Sequence, residues 1–249
     1  MAGNTATPGA TVASRVLAIL GAFDDRHRAL TLTDLARRSG LTLTTAHRLV
    51  GELTGWGALR RDEDGRYLVG RRLWQLGLLA PVQTNLREAA SPFLHDLYGA
   101  TLATVHLAVR EGTEVLYVDR LSGHASVPVV STVGSRLPLH STGVGKVLLA
   151  HAPDDVRRRV LAAPLPRLTP YTVTEPARLS RQLARVRQDG YAATVEEMTL
   201  GACTVAVPVT VGEDVLAALG IVVPDLRRTR AQLVGALQVA AQGISRSLS

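Results

Sequence analysis

The sequence predicts an α+β protein in which a winged helix-turn-helix precedes a helical connector and a domain built on an antiparallel sheet. Apolar residues keep helical spacing through residues 12–23 and 31–53, and a short strand pair follows them. From residue 101 the apolar period changes to two, with turn residues between the runs and several helical stretches among them. At 249 residues the chain has room for two domains that each bury a core.

The helix-turn-helix pattern lies in residues 31–53. Thr31 can cap a short helix, and Gly40 supplies the positive backbone torsion of a tight turn between two helices. Thr42 can then cap the second helix. The positions that helical spacing turns inward are Leu32, Leu35, Ala36, Ala46, Leu49, Val50 and Leu53.

A basic hairpin follows the helix pair. The Asp-Gly pair at residues 64–65 is the signal of a two-residue hairpin turn, and Arg60, Arg61 and Arg66 cluster at its tip. A helix pair alone also occurs in helical cores that never touch nucleic acid. The three arginines, and the lack of acidic residues on the outward face of the second helix before Glu52, favour double-stranded DNA as a partner.

The outward residues of this unit are assigned roles from the usual docking of such folds. Thr44, Thr45 and Arg48 would enter the major groove, and Thr42 and His47 would lie nearer the phosphates. The wing arginines would reach the flanking backbone or the minor groove. The full set expected to contact DNA is Thr33, Thr42, Thr44, Thr45, His47, Arg48, Arg60, Arg61, Arg66 and Tyr67.

Composition supports a polyanionic partner only weakly. The net charge is +7, and 27 of the 28 basic residues are arginine, which suits contacts to guanine and phosphate. However, arginines also occur at residues 157–159 and 178–185, where a solvated face is the simpler interpretation. The excess charge therefore does not by itself locate a binding surface.

The remaining general features predict a cytoplasmic protein with no membrane partner. A single cysteine excludes an intramolecular disulfide framework, and no run of about 20 apolar residues is present. The first residues have neither the basic nor the apolar region of a signal peptide, and residues 1–9 are expected to form a disordered tail.

The rest of the chain alternates between strands and helices. The expected connector spans residues 71–98 and is interrupted at Pro81. Strands are predicted at residues 104–110, 115–119, 126–133, 191–195, 202–211 and 215–223, and helices at residues 142–151, 154–162, 176–189 and 229–248.

Residues with chemical potential do not assemble into a catalytic or metal site. Gly143-Val-Gly-Lys146 lacks the earlier glycine and the following Ser or Thr of a phosphate-binding loop, which leaves either a helix start able to bind a small anion or a plain helix start. Cys203 is expected to be structural, because nothing brings it to a histidine. The adjacent carboxylates of Glu196 and Glu197 diverge on a strand. No cofactor is expected, and an enzyme or sensor that uses the helix pair for protein contacts is the rival interpretation.

Four motifs in order along the chain carry a resemblance to a known family. They are Thr45-Ala-His-Arg-Leu49, Gly65-Arg-Tyr-Leu-Val-Gly70, Leu137-Pro-Leu-His-Ser-Thr-Gly-Val-Gly-Lys146, and Arg187-Gln-Asp-Gly-Tyr191 with Glu196, Glu197, Gly201 and Cys203. With its match from about residue 12 to the C-terminus, the chain resembles the IclR family of bacterial transcription regulators.

The resemblance implies an architecture and a mode of action. It implies a DNA-binding domain at residues 10–70, linker helices at residues 71–98 that dimerise, and a GAF-like domain at residues 99–249 that binds a small organic or aromatic acid. It also implies a homodimer, or a dimer of dimers, on a palindromic operator. The expected function is a regulator of a metabolic or catabolic operon, with a repressor favoured over an activator or a global regulator.

The resemblance also implies an effector site. Matching positions give Thr142, Gly143, Val144, Thr194, Cys203, Gly220 and Val222. Members that bind small polar acids have an acidic residue near Thr194 and serines at the positions of Gly220 and Val222. Because this chain lacks those polar groups, we expect a larger or more apolar effector.

Overall fold

The computed structural model describes residues 11–24, 27–79, 84–124 and 126–248. The chain forms two compact units, Met1–Pro81 and Val82–Ser249. The architecture is α+β, as predicted. The tail expected at residues 1–9 and the break expected at Pro81 lie outside the described residues. None of the helices within the described ranges combines the length and the apolar character that a membrane crossing requires.

The first unit contains the predicted helix-turn-helix. Its elements are α1 (Val12–Leu20), β1 (Ala29–Leu30), α2 (Leu32–Ser39), α3 (Leu43–Trp56), β2 (Leu59–Arg61), β3 (Tyr67–Val69) and α4 (Arg71–Leu78). The side chain of Thr31 caps α2 and that of Thr42 caps α3, as predicted. Gly40 ends α2 with a φ of 67°, the left-handed conformation that the turn requires.

The side chains that helical spacing turns inward form the core of this unit. Ile19, Leu35 and Leu49 are fully buried in one cluster, to which α1, α2, α3 and the wing contribute. Six of the seven positions predicted to face inward are buried, and Leu32 packs against the cluster half-buried. Burial of each large apolar side chain stabilises the unit by about 1.5–3 kcal/mol.

The wing differs from the prediction in two ways. The turn is a three-residue loop, not a two-residue one, because Asp62 N–H donates to Arg66 O at 2.8 Å and Gly65 adopts a φ of 78°. The carboxylate of Asp62 also accepts from Arg66 N–H at 2.7 Å, which holds the wider loop closed. In addition, β1 pairs with β3 and adds a third strand, which is too short to carry a sequence signal.

The second unit is built on an antiparallel sheet. Within the described residues its six strands have the order β6-β5-β4-β9-β8-β7. The elements are α5 (Thr84–Thr101), β4 (Thr104–Glu111), β5 (Glu114–Leu121), β6 (Arg136–Pro138), α6 (Gly143–Ala150), α7 (Asp154–Ala162), α8 (Pro176–Asp189), β7 (Ala192–Val195), β8 (Cys203–Val211), β9 (Asp214–Val223) and α9 (Arg230–Leu248).

Period-two alternation divides the sheet between two apolar clusters. Val205, Leu219 and their alternate neighbours form one cluster with α5 and α9. Ala206 and Ala218, which point the other way, belong to the cluster formed with α6, α7 and α8. Helices therefore cover both faces of the sheet.

The prediction of a strand at residues 126–133 is wrong. These residues form an irregular segment, and β6 instead occupies the sheet edge beside β5. The segment is held by side-chain bonds, including Ser131 Oγ to His106 Nε2 at 2.8 Å. Alternating apolar residues predicted a strand here, but on this side of the sheet β5 pairs with the residues of β6 instead.

A buried ion pair ties α6 to the loop between β7 and β8. Lys146 Nζ donates to Glu197 Oε1 at 2.5 Å and to Gln182 Oε1 at 2.8 Å, and Lys146 is only 1% exposed. Burial lowers the pKa of Lys146, and the charge of Glu197 opposes that shift. The second oxygen of Glu197 is buried without a hydrogen-bond partner. The lysine therefore depends on this one carboxylate for its charge balance.

We expect Glu197→Gln to lower the free energy of unfolding by about 3 kcal/mol, because it leaves the Lys146 charge buried without a counter-charge. Urea unfolding of the purified protein measures the change. The matched control is Glu196→Gln, the same substitution one position earlier, where a neutral amide can still accept the Gly201 N–H. Equal losses in the two variants would contradict the assigned role of the ion pair.

Candidate DNA-binding surface and effector cavity

The outward face of α3 carries the polar residues predicted to contact DNA. Thr42, Thr44 and His47 are exposed, and Thr45 is half-buried. Thr42 Oγ1 accepts from Thr45 N–H at 3.3 Å and donates to Thr45 Oγ1 at 2.9 Å, so the helix start is locally ordered. Because the opposite face of α3 is in the core, this face is the one available to a partner.

Arg48 is exposed but has an acidic partner. Its Nη1 lies 2.6 Å from Glu52 Oε1, and both side chains are 58% exposed. The outward face was expected to lack a competing acid before Glu52, near its far end, but Glu52 itself reaches back to Arg48, because residues four apart meet on one helix face. An exposed pair of this kind contributes at most about 1 kcal/mol, so a phosphate or base can displace the carboxylate.

The wing presents its arginines unequally. Arg60, Arg61 and Arg66 are all exposed, but Arg61 Nε donates to Gly65 O at 3.0 Å and its guanidinium lies 5.6 Å from the Tyr67 ring centroid. Arg61 therefore braces the loop, and half-buried Tyr67 supports it from β3. Thr33 is exposed in the first turn of α2.

A cavity lies in the second unit between the sheet, the start of α6 and two connecting segments. It is narrow, at about 30 Å³. With His106 neutral, as its pKa indicates, none of the described lining side chains is charged. The lining residues are His106, Tyr117, Val129, Val130, Ser131, Leu137, Thr142, Gly143, Val144, Thr194, Met198, Thr199, Ala202, Thr204 and Val222.

The start of α6 opens directly into this cavity. Thr142 caps the helix by accepting from Gly145 N–H at 3.1 Å, and the first amides of a helix have no carbonyl partner within it. A Cβ on Gly143 would lie 2.8 Å from Thr204 Cγ2, and one on Gly220 would lie 2.9 Å from Val144 Cγ1. Glycine at these two positions thus lets the electropositive helix end approach the sheet closely.

The structure brings together five of the seven residues predicted for the effector site. Thr142, Gly143, Val144, Thr194 and Val222 line the cavity. Gly220 lies beneath Val144 and supports the helix start without lining the cavity.

Cys203 is not brought to the cavity. It packs in the cluster on the opposite face of the sheet, and its Sγ lies 3.6 Å from Pro224 O. Alternation along β8 gives the cavity face to Thr204 instead. Burial raises the pKa of the Cys203 thiol, which agrees with the structural role expected from sequence.

Several lining residues were missed by the sequence analysis. His106, Tyr117 and Thr204 lie on β4, β5 and β8 and face α6. Their strand alternation was a usable signal, since each is polar and flanked by apolar residues. Ser131 and Met198 come from irregular segments, where strand or helix periodicity does not give the direction of a side chain.

The two largest polar side chains in the cavity are electrically neutral. Burial, reinforced by the charge of Arg120, lowers the pKa of His106 to about 3. Burial raises the pKa of Tyr117, and its hydrogen bond with Thr142 opposes that shift. The two rings meet edge to face, with centroids 4.9 Å apart. The cavity therefore offers neutral hydrogen-bonding groups and an apolar wall.

The other candidate chemistries find no support in this arrangement. Lys146 points to Glu197 and Gln182, not to a phosphate-binding loop. Among the described residues, no three His, Cys, Asp or Glu side chains gather to hold a metal ion.

Both units match families of known proteins. Residues 12–63 match the IclR helix-turn-helix domain, and residues 80–246 match the C-terminal domain of the bacterial transcriptional regulator IclR. The transcriptional regulator XynR of Escherichia coli (strain K12) is 32% identical over 240 residues, which cover 94% of this chain and 95% of the relative. The Pca operon regulatory protein of Acinetobacter baylyi is 33% identical, covering 94% of this chain and 86% of the relative.

Solved structures agree with this assignment. An IclR homolog from Microbacterium hydrocarbonoxydans, complexed with 4-hydroxybenzoate, has a TM-score of 0.90 and 39% identity, covering 96% of this chain and 99% of that chain. The IclR protein of Thermotoga maritima has a TM-score of 0.81 and 29% identity, covering 95% and 98%. These relatives are transcription regulators, not enzymes. The chain belongs to the IclR family of bacterial transcriptional regulators.

Proposed function

We propose that this protein is a cytoplasmic repressor of a catabolic operon, which releases its operator when an aromatic acid binds the second unit. The observation that carries the proposal is the cavity at the α6 start, where unpaired helix amides meet apolar walls. A related protein with 39% identity binds 4-hydroxybenzoate. That acid combines a carboxylate with an apolar ring, as this cavity requires.

The carboxylate of the effector would bind the amides of Gly143 and Val144. The partial positive charge at a helix N-terminus favours an anion there, and no side chain of the described lining supplies a competing charge. Val129, Val222 and Met198 would pack on the ring. Where smaller polar acids are bound in the family, this chain has Gly220 and Val222, which favours a larger and more apolar ligand.

The cavity is too narrow for an aromatic ring without movement of its walls, since about 30 Å³ holds little more than water. Val129, Val130 and Ser131 belong to the irregular segment at residues 126–135, which is not part of the sheet. We infer that this segment moves outward when the effector enters. The ligand shifts operator affinity only if it binds the two arrangements with different affinity.

The DNA-binding face is proposed to be α3 with the wing. Thr44, Thr45 and Arg48 would read base edges, while Thr42 and His47 would contact phosphates. Arg60 and Arg66 are the wing arginines whose side chains make no hydrogen bond to the loop in the described structure, and they would reach the flanking DNA. The connector at residues 71–98 would join this function to effector binding.

Exposed apolar side chains support a homodimer on a palindromic operator. Leu17 of α1 is 66% exposed, and Trp74 and Leu79 at α4 are 58% and 77% exposed. Large apolar side chains of this kind on short helices mark an interaction surface when they cluster. A second copy of the chain is the occupant we propose, and two such dimers could pair.

Arg48→Ala should weaken binding to a duplex selected by the wild-type protein from random sequences by about 1–3 kcal/mol, because a base or phosphate contact is lost. Fluorescence anisotropy over a series of salt concentrations measures it. The matched control is Arg159→Ala in the second unit, where the arginine pairs with Asp155 at i−4 and is 62% exposed. Equal affinities for the Arg48→Ala variant and the wild type would contradict the proposed face.

Trp74→Glu should convert the dimer to a monomer, because it places a charge in the proposed apolar contact. Analytical ultracentrifugation of the full chain gives the mass directly. Val239→Glu is the control, since Val239 is 70% exposed on α9 of the other unit. A Trp74→Glu protein that stays dimeric would remove α4 from the interface.

Gly143→Ala should abolish release of the selected duplex by 4-hydroxybenzoate while DNA binding without the acid persists. The added Cβ crowds Thr204 at 2.8 Å and displaces the helix start from the ligand. Gly235→Ala is the control, because a Cβ there meets nothing within 4 Å. Release from the wild type is the test of the effector proposal, and its absence would exclude this acid.

A further inference from the structure

The polar groups of the cavity lie on separate strands of the sheet. Thr204 of β8 stands beside the α6 start, because a Cβ built on Gly143 would lie 2.8 Å from Thr204 Cγ2. His106 lies on β4 and pairs with Gly220 of β9, which in turn pairs with Ala206 of β8. Two strand spacings therefore separate His106 from Thr204, about 10 Å across the sheet. A ligand that reached both would span the cavity.

His106 is a buried, neutral side chain that can form hydrogen bonds. It is 3% exposed, and its Nε2 lies 2.8 Å from Ser131 Oγ. A neutral imidazole has one donor and one acceptor nitrogen, so a hydroxyl group, which also donates and accepts, satisfies either tautomer. A carboxylate, which only accepts, and an ammonium group, which only donates, are each compatible with one arrangement at most.

Arg120 favours an oxygen at this position. It lies opposite His106 in the register of the neighbouring strand, and its positive charge contributes to lowering the pKa of the imidazole. Its Nε is buried with no hydrogen-bond partner. Positive charge near the imidazole strengthens the ring as a hydrogen-bond donor toward an electron-rich oxygen.

We propose that His106, together with Ser131, is the specificity-determining residue that recognises a hydroxyl group on the ring of the effector, opposite its carboxylate. The inference rests on the proposed function, in which the carboxylate binds at the α6 start. It narrows the effector class from aromatic acids to acids that carry a hydroxyl group at the far side of the ring. Because Ser131 belongs to the segment at residues 126–135, the same group contacts the wall that must move.

The test compares two ligands of similar size on the full-length protein by titration calorimetry. 4-Hydroxybenzoate can bond to His106, and 4-methylbenzoate cannot. We expect the wild type to bind 4-methylbenzoate at least about tenfold more weakly, because a methyl group cannot make the hydrogen bond of the hydroxyl group at the buried His106 and Ser131 pair. Equal affinities would overturn the inference, whether or not any variant folds.

Single-residue variants then test which residue discriminates between the two acids. His106→Phe should bring the affinity ratio close to one, and His106→Gln, which keeps a donor and an acceptor, should restore part of it. Thr204→Val is the matched control at the other side of the same cavity, and it should leave the ratio unchanged. A folded His106→Phe protein with the wild-type ratio would overturn the inference. Binding of neither acid by the wild type would overturn the proposed effector class, and the inference with it.

Discussion

The close approach of α6 to the sheet is the constraint on which the second unit depends. Gly143 and Gly220 allow it, because a Cβ at either position would lie within 3 Å of a neighbouring side chain, at 2.8 and 2.9 Å respectively. Gly145 is under the same restriction, since its Cβ would lie 2.5 Å from Leu139 O. If larger residues replaced these glycines, their side chains would push the start of α6 away from the sheet. The glycines therefore place backbone amides where a ligand can reach them.

The charged residues around that helix support a wall of the cavity and do not belong to its described lining. Lys146 is one turn beyond the cavity and is neutralised by Glu197 in the adjoining loop. That loop continues into Met198 and Thr199, which line the cavity. The ion pair thus positions a cavity wall without placing a charge in the cavity. Within the described lining, the helix end is the site we propose for an anion, and neutral groups such as His106 are the ones we propose for the remainder of the ligand.

The first unit is organised by short-range interactions. Thr31 and Thr42 cap helices within three residues of themselves, and Gly40 makes the turn between the helices. These are local signals, and the sequence was sufficient to predict them and the inward face of α3. The wing was predicted less well, because the carboxylate of Asp62 competes for Arg66 N–H and widens the loop. A side-chain bond of this kind has no periodic pattern.

In the second unit, too, the sequence shows local features, whereas the contacts between distant residues depend on the packing. Alternation in β8 shows from the sequence that Cys203 and Thr204 face opposite sides, but it does not show which side holds the cavity. The packing of α5 and α9 against one face and of α6 against the other decides that, and it assigns Thr204 to the cavity. The sequence by itself determined the helices and the longer strands, the caps of α2 and α3 and the glycine-rich start of α6, because these follow from contacts among near neighbours, whereas it did not predict β1 or β6. Only the tertiary structure brought His106 to Ser131 and Lys146 to Glu197, because those pairs are 25 and 51 residues apart and meet through the order of the strands.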